Sequence, residues 1–207
     1  MASLLEKFHS IFHRPYTIKS PRDFGPLKFK CYTPQLYDID ISPYIREFTK
    51  EDFRSTVAPG DYRIYIHGGQ GNSPFNGIYC DAEYNFVLTR GPVPKKKSIT
   101  QASVHGAMAC ISFNLEMGPG IFIKQLQGVE GAGTLLKAFR WEKMLLKVVT
   151  DWAKAHDYTK VRLQRAEDNS WKNIVGIEKL KIRYDVTAKR SGFKYDEESR
   201  TYVLVLQ

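Results

Sequence analysis

Histidine, cysteine, glycine and glutamine occur in this sequence at spacings that suggest several kinds of chemistry. His9 and His13 lie one helical turn apart and could pinch a metal ion, but a metal site needs three or four ligands and no third accompanies them. No metal is assigned. The three cysteines, Cys31, Cys80 and Cys110, are odd in number and too widely spaced for a zinc site or a disulfide framework. Cys110 stands beside Met108 and Ile111 in an apolar run, which suits an inert buried thiol better than a nucleophile. His67-Gly-Gly-Gln-Gly-Asn carries a triplet able to hold a water against an ester. Between two β-prone runs it reads as a tight hairpin turn, and it lacks the Lys and Ser/Thr of a phosphate-binding loop. Late in the chain basic residues interleave with aromatics, from Lys160, Arg162 and Arg165 through Trp171 and Lys172 to Arg183, Lys189, Arg190 and Lys194. Such a mixture can track phosphates and stack bases, or form the wet faces of two helices and a strand.

These residues must be positioned by elements that the hydrophobic periodicity outlines. Leu4, Leu5, Phe8, Ile11 and Phe12 repeat at helical spacing until Pro15, predicting a short amphipathic helix and linker over 1–20 ahead of a single domain over 21–207. Ser42 caps an expected helix that runs on to Phe53. Strands follow at Tyr62-Arg-Ile-Tyr-Ile-His, Asn85-Phe-Val-Leu-Thr-Arg, Ala102 to Leu115 and Ile121 to Val129. A helix is predicted from about Phe139 to His156, with Met144, Leu145, Val148, Val149 and Trp152 on one apolar stripe. Val161-Arg-Leu-Gln is a short strand, Leu180 to Ser191 a helix and Thr201-Tyr-Val-Leu-Val-Leu a closing strand. Antiparallel strands followed by alternating strands and helices predict an α+β fold: a mixed, mostly antiparallel central sheet with helices on both faces.

With 207 residues and 43% hydrophobic content the chain can bury one continuous core. No apolar run approaches bilayer length, so no membrane span is expected. Lys and Arg outnumber Asp and Glu by 31 to 22, a net charge of +9 that favours an anionic partner such as CoA, nucleic acid or an acidic protein. Nothing demands export, and a reducing, cytoplasmic setting is expected.

The succession from Ile121 to Gln207 resembles the GNAT superfamily of acyl-CoA N-acyltransferases. The phrase around Trp152-Ala and the Gly192-Phe193 pair before a terminal strand carry most of the likeness. The resemblance implies that one central strand splays from its neighbour and offers unpaired backbone groups to the pantetheine of acetyl-CoA, with residues 121–207 as the cofactor half. Gln125, Gln127, Gly128 and Val129 then become the cofactor-binding strand. A following glycine-rich turn would give the pyrophosphate helix amides, with Lys137 or Arg140 adding charge. The sequence departs from the family here: Lys137-Ala-Phe-Arg-Trp-Glu stands at the phosphate loop, and Arg140 and Glu142 occupy the places of two glycines. Gly128, Gly131 and Gly133 lie upstream and could supply a remodelled loop. Many members carry a Tyr four residues before the Gly-Phe pair, where this chain has Ala188; Tyr184, one turn earlier, is the candidate proton donor. Glu116 and Glu130 are the candidate bases for an attacking amine.

Two functions follow. The first is transfer of an acetyl group from CoA to an amine of unknown identity. The second is a catalytically inactive GNAT-like domain that binds nucleic acid or an acidic partner through its basic surface. In the second, Phe139, Arg140 or Trp141 would fill the helix entrance.

Overall fold

The computed structural model describes residues 35–37, 40–73, 75, 77–91 and 106–207. The amphipathic helix expected over 1–20 lies outside the described residues. The strands are β1 (Gln35–Tyr37), β2 (Tyr62–Gly68), β3 (Gly71–Asn72), β4 (Tyr79–Cys80), β5 (Tyr84–Arg90), β6 (Ala107–Leu115), β7 (Gly120–Gly128), β8 (Lys160–Leu163), β9 (Lys194–Asp196) and β10 (Thr201–Val205). Eight of them form one sheet in the order β1-β2-β5-β6-β7-β8-β10-β9, and β3 pairs with β4 as a separate ribbon. Every neighbouring pair in the large sheet is antiparallel except β7 with β8. That parallel pair requires a crossover, and α3 (Trp141–Ala155) provides it.

Helix α3 forms where the apolar stripe predicted it: Met144, Leu145, Val148, Val149 and Trp152 are all buried. It stops at His156, followed by Asp157 at a φ of 62°. Trp152 is the hub of the core, with its ring 5.2 Å from Phe113, 5.9 Å from Phe86 and 5.6 Å from Tyr158. Helix α1 (Ser42–Phe48) packs Ile45 and Phe48 into the same cluster. It is shorter than expected, and its start is secured by Asp40, whose carboxylate accepts the Ser42 N–H at 2.9 Å, rather than by a Ser42 cap. The bond, together with one to the Ser42 side chain, holds the Asp40 carboxyl below the usual carboxylate range.

The two sheet faces are closed differently. One carries Ile64, Phe86, Ile111, Ile121 and Val161 against the helices. On the other, Tyr65, Val87 and Cys110 meet Phe75, Ile78 and Cys80 from the segment that contains β3 and β4; among the described residues no helix enters this smaller cluster. Burial raises the Cys80 thiol to about 11 and the Cys110 thiol further still, so both remain protonated at neutral pH.

Candidate functional site

The pairing of β7 with β8 runs from Gly120↔Lys160 to Ile123↔Leu163 and stops. Gln164 makes the last contacts: its N–H donates to the Ile123 carbonyl at 3.1 Å and its side-chain amide to the Lys124 carbonyl. The chain then turns away into a 3-10 turn at Ala166–Asp168, while β7 continues beside β6 alone. This is the splay that the family resemblance implied. A bulge accompanies it, because Ser112 lies opposite Gln125 and Phe113 opposite Ile123, leaving Lys124 as the extra residue. The extra residue inverts the alternation along β7. Ile121, Ile123 and Leu126 all face the helix-side core, and Gln125 and Gln127 face the other way.

The two glutamines therefore hold a cover rather than a cleft. The Gln125 carbonyl oxygen accepts from Ser112 Oγ at 2.8 Å and from the Asp81 N–H at 3.1 Å, and its amide donates to the Tyr79 carbonyl at 2.5 Å. Gln127 donates to the Gly77 carbonyl at 3.1 Å. Together they pin residues 77–81 onto the sheet. Trp171 adds a clasp from outside, donating its indole N–H to Asp81 at 2.8 Å with its ring 5.8 Å from Tyr79. Burial raises the Asp81 carboxyl, partly offset by that bond and by Lys124.

Leu126 is the residue whose backbone faces the splay. Its N–H donates to the Tyr184 hydroxyl at 2.8 Å, and its carbonyl accepts from Arg183 at 3.5 Å. Tyr184 reaches it because the last helix changes its winding: α5 (Ile177–Lys181) passes into a π-helical stretch, Ile182–Val186, before α6 (Thr187–Arg190). The wider turn brings Tyr184 inward, 1% exposed, and burial pushes its phenol up to about 12. Asp185 fixes the same stretch by accepting the Ala166 N–H at 3.0 Å. Tyr184→Phe removes the hydroxyl that accepts the buried Leu126 N–H and should lower stability by about 1–3 kcal/mol. Urea unfolding checks this, with faster hydrogen exchange at Leu126 as the local sign.

Past Leu126 the groove is filled. A methyl group on Gly128 would come within 3.1 Å of Leu136 and 3.5 Å of Trp141, so these two side chains lie directly over the strand end. Phe139 and Trp141 are buried, and the Arg183 guanidinium sits 5.5 Å above the Trp141 ring. The linking segment, with α2 (Gly133–Leu136), spends its amides on itself: those of Ala132, Leu136, Lys137, Ala138 and Phe139 donate to carbonyls between Val129 and Leu136, and that of Arg140 to Phe48. The Glu142 carboxyl, raised by burial, turns back on its own backbone amide in the first turn of α3, near Arg183 and Lys50. A helix start with its own carboxylate in place has little affinity left for a phosphate.

Of the positions expected to bind cofactor, Gly128 follows Leu126 in the alternation and also faces the splay. Gln125 and Gln127 point to the cover, and the Val129 N–H is taken by the Met108 carbonyl. Lys137 and Arg140 are exposed on the linking segment. Glu116 lies at the far end of β7, paired with Arg162 at 2.6 Å and separated from Leu126 by roughly 20 Å of strand. Glu130 is exposed in the turn after β7. Tyr184, Gly128, the expected blocker Trp141 and the missed residues Leu126 and Arg183 thus come together, whereas Glu116 does not.

Among solved structures, the chain is similar to an acetyltransferase of the GNAT family from Staphylococcus aureus MU50, with 11% identity and a TM-score of 0.38 over 84% of this chain and 98% of that one. It is also similar to a putative N-acetyltransferase from Lactobacillus plantarum, with 13% identity and a TM-score of 0.32 over 59% of this chain. The likeness is remote. The chain spans 66% of the length of the Lactobacillus protein. No family model and no curated protein matches the sequence. Among the described residues no helix is long and apolar enough to cross a membrane.

Proposed function

We propose that this chain is a divergent GNAT-like domain, a single unit over 21–207, that has closed its acyl-CoA cleft with its own side chains and acts by binding an acidic partner through its basic surface. The observation that carries this reading is the Leu126 N–H. In the fold that the sequence resembles, an amide at this place meets the cofactor, and here the Tyr184 hydroxyl holds it at 2.8 Å. The phosphate end supports the same reading, since Trp141 and Leu136 cover Gly128 and Glu142 occupies the start of α3. These residues do not fit acetyl-CoA. Pantetheine would need the Leu126 backbone, which Tyr184 and Arg183 hold, and the amides from Leu136 to Arg140 next to α3 are already bonded.

A second reading, transfer of an acetyl group to an amine, is favoured by one observation: the Tyr184 phenol already stands beside the splayed strand, where a proton donor is wanted. In that reading Glu130 is the base nearest the strand end, and Gly128, Lys137 and Arg140 line the cofactor's path. Calorimetric titration of the folded protein with acetyl-CoA and with CoA, alongside Arg140→Ala, separates the two. The closed-cleft reading expects no saturable heat from either ligand. Saturable micromolar binding that weakens in Arg140→Ala overturns it and restores the enzyme.

A further inference from the structure

The second face of the sheet is covered over β2, β5 and β6 by the segment that Gln125 and Gln127 hold down, but the cover does not extend across the C-terminal strands. There β8, β9 and β10 line a shallow groove of about 560 Å³. Its composition follows from register. Val205 lies opposite Lys160, and Val203 lies opposite both Arg162 and Lys194. Directly opposed residues share a face, so two valines form a central apolar stripe with Lys160 and Arg162 along one side and Lys194 along the other. Val205 is 70% exposed. The intervening residues Val161, Leu163 and Tyr202 point the other way, into the helix-side core.

We infer that this face is a docking groove for an acidic amphipathic segment of a partner protein, one that sets apolar side chains on Val203 and Val205 and carboxylates on the flanking cations. The inference rests on the proposal of a basic binding surface and assigns it a place. Charge complementarity carries it: Lys160 and Lys194 stand exposed beside the valines, while Arg162 already receives the Glu116 carboxylate at 2.6 Å and Asp196, also in the lining, is engaged by Ser199. The chain's own first thirty residues do not have the matching charge, with Lys7, Arg14, Lys19, Arg22, Lys28 and Lys30 against Glu6 and Asp23. A nucleic acid fits less well. Its bases would need a free aromatic platform, but the Tyr195 ring at the groove's edge is engaged by Tyr202 and Arg165 and the Phe122 ring lies under Arg162.

The test uses the full chain, a short labelled peptide of alternating leucine and glutamate, and a single-stranded oligouridylate of equal charge. Fluorescence anisotropy at moderate salt should show saturable peptide binding, weakened roughly tenfold by Val205→Asp and by Lys160→Glu, which is the 1.4 kcal/mol of one lost anchor. Lys154→Glu, exposed on α3 across the sheet, should leave it unchanged. Both groove substitutions are at exposed positions, and circular dichroism verifies that each variant is folded. Absence of saturable peptide binding, equal binding by all variants, or tighter binding of the RNA overturns the inference. The outcome is independent of the acetyl-CoA titration, since a closed cleft without peptide binding sinks only the groove, and CoA binding beside intact peptide binding sinks only the closed cleft.

Discussion

Trp152→Ala should lower the free energy of unfolding by about 3–5 kcal/mol, the range for deleting a large buried aromatic. The indole is fully buried and joins α3 to two strands and a loop, because Phe86 is on β5, Phe113 on β6, and Tyr158 precedes β8. The cavity cannot collapse easily, since its walls are strands held in a continuous ladder on both sides. Urea denaturation with an unchanged m-value measures the loss. A change below about 1 kcal/mol would mean that the aromatic cluster is not what fixes α3 on the sheet.

Gln125→Ala should cost about 3 kcal/mol, although the side chain is polar and its removal creates only a small void. It serves the Ser112 hydroxyl, the Asp81 N–H and the Tyr79 carbonyl at once, and its amide also reaches Gln127 at 2.9 Å. Deleting it strands the buried Ser112 hydroxyl and two partly buried backbone groups. Gln127→Ala makes the comparison, because Gln127 is only partly buried and anchors the edge of the same cover; a loss of about 1 kcal/mol is expected. Hydrogen exchange at Asp81 should accelerate in the first variant far more than in the second. Equal effects would show that the cover is held by Phe75 and Ile78 packing instead of by the glutamines.

Most of the scaffold can be read from residue types, and particular residues show where reading stops. The α3 stripe, the Thr201 strand and the strand from Ile121 appear within a residue or two of expectation because each has a strong apolar period and nothing competing with it. The splay was legible through resemblance, but the bulge at Lys124 was not. Strict alternation puts Ile121, Ile123, Gln125 and Gln127 on one face; one unpaired residue separates the isoleucines from the glutamines and hands the exposed backbone to Leu126. Side-chain types contain no mark of that, since the bulge is decided by pairing with β6. Trp141 and Phe139 were legible as blockers because bulky residues stand where close backbone approach needs glycine. Arg183 was read only as a charge in a run and Glu142 only as a replacement for a loop glycine, and their approach to one another depends on helices distant in sequence.

The π-helical stretch at Ile182–Val186 makes the last helix two registers joined end to end. The part before it is seated in the core through Leu180, the stretch itself is tied to the turn after β8 through Asp185, and the part after it is seated through Ala188 and Phe193. An α-helix turns about 100° per residue, so deleting one residue within the stretch would swing Tyr184 and Arg183 around the axis while leaving Ala188 seated. Both groups that cap Leu126 would leave together. A single inserted residue is thus sufficient to cover the strand backbone at Leu126, and a single deletion to uncover it, with no change in the strands themselves.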